Sequence, residues 1–188
     1  GAHFNYFSLN INPQAYRSEF EIHMNGEKCA TSFSNICFID RNNKNNDENI
    51  LINHNAPDCV SRQVFKSVLA ADCSSIVRGK IFVDSNAQKT DGFQSSRSLL
   101  LDNKAKFYCK PELEIYADDV ACSHGSTSGS LDQEALFYLL SRGLSKKESE
   151  DILVMAFVSG AFEEIKNLDT KELVQQLFST RIKQSSNG

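Results

Sequence analysis

The feature that most constrains this chain is a change of hydrophobic period at Ser130. Before it lie short apolar runs such as "NICFID", "NILIN", "RQVFKSVL" and "KIFVD", separated by turn-forming clusters such as "DSNAQKTDG" and "LDNKAKF". In "SEFEIHMNGEK", Phe20, Ile22 and Met24 alternate with polar residues and a turn follows. The punctuation recurs at roughly 14–20 residues, whereas a hairpin meander usually has tighter turns built on Asn-Gly or Asp-Gly. That spacing suits a β-solenoid or a β-sandwich, and pattern does not separate the two. The Asn-rich segment Asn42–Asn49 reads as a solvated loop.

After Ser130 the period becomes helical. Leu131, Ala135, Leu136, Leu139 and Leu140 share one face, and Ser130 with Gln133 has the form of a capping box. Gly143 stands where a left-handed C-cap falls. A second helix opens on the capping box Ser145 and Glu148 and runs to about Gly160. A third is capped by Asp169 or Thr170. The division is therefore a β body over 1–129 and a helical unit over 130–188.

Composition narrows the class. A net charge of -4 and a pI near 5.6 lack the electrostatic footprint of a nucleic-acid binder. No apolar run reaches the ~20 residues of a membrane helix, and no basic region precedes an apolar one at the N-terminus. A soluble, cytoplasmic protein without an export signal is expected. The opening "GAHF" reads as a cloning remnant ahead of an excised fragment. The six cysteines contain no CxxC pair, so buried, reduced thiols are expected rather than a zinc site.

Phosphate loops, HExxH and GxSxG are absent, which leaves two stretches with chemistry in them. In "NHNAPDCVSRQ", His54, Asp58 and Cys59 surround Pro57, and the segment reads as a turn between strands. In "ADDVACSHGST", Asp118 and Asp119 read as turn residues. On an extended strand Cys122 and His124 fall on one face, where a thiolate and an imidazole could take a soft metal. Two ligands make only half a site.

"PELEIYADDVACSHGST" and "ALFYLLSRGLSKKESEDILVMAF" resemble the C-terminal half of the SufD family, scaffold subunits of the SufBCD iron–sulfur cluster assembly system. The resemblance is strong from about His54 to Phe162 and weaker from Phe4 to Ile52. It implies a right-handed parallel β-helix followed by a small C-terminal α-helical domain. It also implies a non-catalytic subunit that pairs with a SufB-like paralogue and docks a SufC-like ABC ATPase, in which the ATPase activity resides. No tightly bound cofactor is implied, only a nascent iron–sulfur cluster shared with SufB. A homodimer could form on the free strand edges when the paralogue is missing.

By the same resemblance His124 falls at the SufB interface, where it would join cluster formation as a transient metal ligand, with Cys122 beside it. Thiolate and imidazole are both known cluster ligands. Leu136, Phe137, Leu140, Arg142, Gly143 and Leu144 would form a ridge for SufC, since Leu136, Phe137, Leu140, Ile152, Met155 and Phe157 cannot all turn inward in a small helical unit. The alternatives are a SufB-like cluster- or persulfide-binding paralogue and a β-helix enzyme. Ser96 stands where SufB carries its sulfur-accepting cysteine, which argues against the first. The second would need a carboxylate cluster or strict hexapeptide repeats.

Overall fold

A computed structural model describes residues 1–185; the last three residues of the expected 130–188 unit lie outside the described residues. The β body consists of β1 (His3–Ile11), β2 (Ala15–Met24), β3 (Ala30–Ile39), β4 (Lys44–His54), β5 (Val60–Leu69), β6 (Cys73–Val83), β7 (Thr90–Leu100), β8 (Lys106–Ile115) and β9 (Val120–Gly129). Odd-numbered strands form one sheet in the order β1-β3-β5-β7-β9, and even-numbered strands form a second in the order β2-β4-β6-β8. Every ladder is parallel. A chain that alternates between two parallel sheets and adds one strand to each per turn is a parallel β-solenoid. Hairpin-built sandwiches would show antiparallel pairs instead.

The corners explain how so irregular a sequence keeps one path. Lys28, Asp58 and Lys89 each take φ of 58°, one per coil at the same corner. Their backbone N–H groups donate to the next coil, at Pro57 O (3.2 Å), Gln88 O (2.9 Å) and Asp119 O (2.6 Å). At the opposite corner Asn12 and Asn43 adopt the same left-handed region, which asparagine tolerates well.

Side chains alternate between the lumen of the solenoid and its outside. The first coils have an aromatic lumen, in which Tyr6 stacks on Phe33 at 4.8 Å between centroids and Phe20 meets Phe33 edge-on at 5.0 Å. Polar side chains share the lumen with apolar ones. Asn42–Asn49 corrects the expectation of a solvated loop: β4 begins at Lys44, and Asn46 and Glu48 point inward with 1% exposure each. Several of these polar groups hydrogen-bond one another there. Asn10 donates to Glu48 Oε1 at 2.8 Å, Asn46 donates to Ser75 Oγ at 3.3 Å, and the Ser67 and Ser75 hydroxyls are 3.2 Å apart. Composition marked the segment as wet, and Asn42, Asn43, Asn45 and Asn49 are exposed, but hydrogen bonding holds Asn46 and Glu48 inside.

Three helices follow: α1 (Gln133–Ser141), α2 (Lys146–Phe162) and α3 (Leu168–Gln184). The Ser145–Glu148 capping box forms as expected, with α2 continuing two residues beyond Gly160 to Phe162. Gly143 has φ of +93° behind the C-cap Arg142, also as expected. Two caps differ. Asp132 rather than Ser130 caps α1, its carboxylate accepting from Glu134 N at 2.9 Å, while Gln133 bonds to the Leu131 carbonyl. Asn167 rather than Asp169 or Thr170 caps α3, accepting from Thr170 N at 2.8 Å. In both cases the side chain with the better reach lies a few residues from the expected one.

The helices do not form a core among themselves alone. Val154, Val158, Ala161, Phe162, Phe178 and Ile182 pack with Ile36, Phe38, Val68 and Leu99 on the outer face of the odd-numbered sheet. Arg181 completes the seam by donating to Asp40 at 3.1 and 3.2 Å.

Candidate functional site

The expected half-site lies on β9, the edge strand of its sheet. β9 is held by β7 in a register that sets Val120 on Thr90, Cys122 on Gly92 and His124 on Gln94. Its lumen-facing positions have no further coil over them among the described residues, so most of the strand is exposed. His124 closes a column that runs through the odd-numbered sheet as Tyr6, Phe33, Gln63, Gln94 and His124. The column changes from aromatic to carboxamide to imidazole toward the open end.

Cys122 is half-buried, against Ile81, Val83 and Leu113. Glycine at position 92 makes that seat, because a Cβ there would stand 3.1 Å from the sulfur. Burial pushes the Cys122 thiol up and the Asp91 charge adds to this, against the backbone of Gly92. The thiol form therefore prevails at neutral pH, and removing its proton calls for a metal or a base from outside. His124 shares its face two residues along the strand and stands exposed to solvent. Among the described residues no group of three or more His, Cys, Asp or Glu side chains is placed to hold a metal ion.

Other expected residues take the places the sequence indicated. Asp118 and Asp119 form the bend before β9, where Asp119 is tied at its N–H to Gln88 Oε1 and at its carbonyl to Lys89 N–H. His54 ends β4 and turns into the lumen, where Nε2 is 2.8 Å from Ser61 Oγ. Burial lowers it to about 4, against the opposing charge of Asp91, so it is a neutral interior residue. Ser96 also faces the lumen, fully buried, and its hydroxyl has no partner.

On α1, Phe137 is 72% exposed, Tyr138 60% and Leu140 39%, and no residue of the helix is buried. Arg142 and Gly143 are exposed beyond its end, while Leu136 and Leu144 are half-buried. The Arg142 guanidinium lies 6.0 Å from the Tyr138 ring centroid. Tyr138 belongs to the same exposed stretch, although it was not among the residues named for it from the sequence.

Gln63 and Gln94 were also missed. Both are fully buried, and neither carboxamide has a hydrogen-bond partner among the described residues. Their signal was a glutamine at a lumen-facing position of a strand, visible only once the face is known.

The family model for the SUF system iron–sulfur cluster assembly SufBD core domain matches residues 1–157. The iron–sulfur cluster assembly protein SufD of Escherichia coli is 33% identical over 159 residues, covering 85% of this chain and 37% of that protein. An iron–sulfur cluster assembly SufBD family protein of Synechocystis is 30% identical over 174 residues, covering 92% of this chain and 38% of its own length. SufD of Plasmodium falciparum is 26% identical over 190 residues, covering 99% of this chain and 13% of that protein. The chain thus spans well under half the length of these relatives. With a matching core-domain model and a parallel solenoid ending in helices, the chain belongs to the SufBD family of iron–sulfur cluster assembly proteins.

Proposed function

We propose that the chain serves as the SufD-type scaffold in iron–sulfur cluster assembly, pairing with a SufB-type paralogue at the open coil and docking a SufC-type ATPase through α1. The observation that carries this reading is the position of His124. It ends the lumen column on an edge strand, exposed, with Cys122 on the same face. An edge strand offers unpaired N–H and C=O groups to a second protein, and a paired strand would face His124 and Cys122 with ligands of its own. The nascent cluster is cargo: imidazole from His124 and thiolate from Cys122 would supply one side of its coordination. The chain itself is non-catalytic, and the ATP-hydrolysing step belongs to the partner.

The ridge of Phe137, Tyr138 and Leu140, flanked by Arg142, supports helix-in-groove docking, since large apolar side chains at such exposure are covered in working assemblies. The test is reconstitution with SufB- and SufC-type partners while cluster absorbance is followed. His124→Ala should assemble the complex and lose cluster formation; unchanged cluster formation overturns the role of His124. Phe137→Ser should lose retention of the ATPase, and full retention overturns the docking surface.

A further inference from the structure

We infer that Cys29 and Cys59 form a peroxide-oxidisable dithiol that closes to a disulfide between two successive coils. The two residues occupy the same corner one turn apart. Cys29 directly precedes β3 and Cys59 directly precedes β5, and the next residues, Ala30 and Val60, are register partners. The Val60 N–H donates to the Cys29 carbonyl at 2.9 Å. The residues just before them, Lys28 and Asp58, share φ of 58°, so the two backbones leave the corner along parallel paths. Neighbouring strands lie about 4.8 Å apart, within the Cα separation of about 4.4–6.8 Å that a disulfide spans.

The sulfurs converge on one glycine. Cys59 Sγ lies 3.3 Å from the Gly26 carbonyl oxygen, and a Cβ built on Gly26 would be 3.6 Å from Cys29 Sγ. Gly26 therefore places no side chain between them. Neither sulfur is engaged elsewhere as a disulfide. Their exposures differ: Cys59 is fully buried, packed in the cluster with Met24, Ala56 and Ile52, whereas Cys29 is half-buried at its edge. Burial pushes the Cys59 thiol up, against the hydrogen bond from the Cys29 backbone, and the adjacent Cys29 thiol adds to the rise, so the inner, buried cysteine is the weaker nucleophile.

This difference assigns the order of steps. The Cys29 thiolate attacks a peroxide oxygen; an S–O bond forms, the O–O bond breaks, and the departing hydroxide takes up a proton to leave as water. Cys29 is then a sulfenic acid. The Cys59 sulfur attacks the Cys29 sulfur; the S–S bond forms, the S–O bond breaks, and the hydroxide leaves as water with the Cys59 proton. Two thiols have lost two electrons and two protons, and one peroxide has become two waters.

The test treats the full chain with hydrogen peroxide, blocks free thiols with N-ethylmaleimide and maps tryptic peptides. Expected is a cross-link between the peptide that begins at Cys29 and the peptide that contains Cys59, reversed by a phosphine reductant. Cys29→Ser and Cys59→Ser should each abolish it. In Cys59→Ser, dimedone should trap a sulfenic acid at Cys29 several-fold more than in the unsubstituted chain. Because the Cys29 peptide also carries Cys37, persistence of the cross-link in Cys29→Ser overturns the assignment. So does failure to form it while circular dichroism shows the solenoid intact.

Discussion

Gly79 faces Gln94 across the lumen so closely that a Cβ on Gly79 would stand 2.6 Å from the carboxamide carbon of Gln94. The glycine on β6 thus makes room for the side chain that lies beneath His124 in the neighbouring strand. Gly79→Ala should destabilise the chain by about 1–3 kcal/mol, because the fully buried Gln94 carboxamide must shift to admit the methyl group. Gly79→Ala combined with Gln94→Ala should recover most of that loss, which a double-mutant cycle by urea denaturation measures. Additive losses would mean that the two residues do not share this space.

The seam between α3 and the solenoid offers a second test. Arg181 donates to both carboxylate oxygens of Asp40, whose side chain is only 5% exposed and also receives the Asn12 carboxamide. Arg181→Ala leaves that carboxylate short of its charged partner and should lower stability by about 1–3 kcal/mol. Arg181→Ala with Asp40→Asn should be less damaging than Arg181→Ala alone. Denaturation midpoints of the three variants decide the matter.

The two faces of the helical tail should respond in opposite ways to truncation. Phe162 is fully buried, 5.9 Å from Phe178 and 6.1 Å from Phe7 between ring centroids. Phe162→Ala should cost about 3–5 kcal/mol through the cavity it leaves. Phe137, 72% exposed, should tolerate replacement by Ala within about 0.5 kcal/mol in the isolated chain. Thermal unfolding of the two variants measures the contrast, and a large loss at Phe137 would mean that its ring is used within the chain.

How far the sequence anticipated all this follows from what each signal depends on. Helix existence and the Ser145–Glu148 cap rest on local spacing, and both were legible. The helix ends at Asp132 and Asn167 depend on which of several capable side chains reaches the N–H groups, a matter of backbone direction. The shared face of Cys122 and His124 on β9 was legible because a strand's two-residue period is local. Asn46 and Glu48 were misplaced because their partners, Asn10 and Ser75, sit a whole coil away. The docking of α2 and α3 on the odd-numbered sheet was hidden for the same reason. Phe178 and Phe38 meet at 5.6 Å across most of the chain's length.

Glu48 supplies the last prediction, a pH dependence with a definite sign. Burial pushes it from 4.5 up to about 7, against the Asn46 and Asn10 carboxamides that hydrogen-bond it, while the Asp47 charge adds to the rise. One carboxyl oxygen, Oε2, has no partner. The folded chain therefore holds a proton that the unfolded chain has already released between pH 4.5 and about 7. Stability from this group falls as pH rises through that window and levels off above it, by about 3 kcal/mol in all. His54 acts the other way: burial lowers it from 6.5 to about 4, so its contribution is lost as pH falls through that interval. Glu48→Gln keeps the shape and removes the titration. Its stability should match that of the unsubstituted chain near pH 4.5, exceed it increasingly toward pH 7 and keep a constant lead above. The remaining pH slope of Glu48→Gln below pH 6.5 should have the sign set by His54. Urea unfolding of both chains at several pH values gives the difference directly, and a gap that does not change with pH would show that Glu48 titrates alike in the folded and unfolded chain.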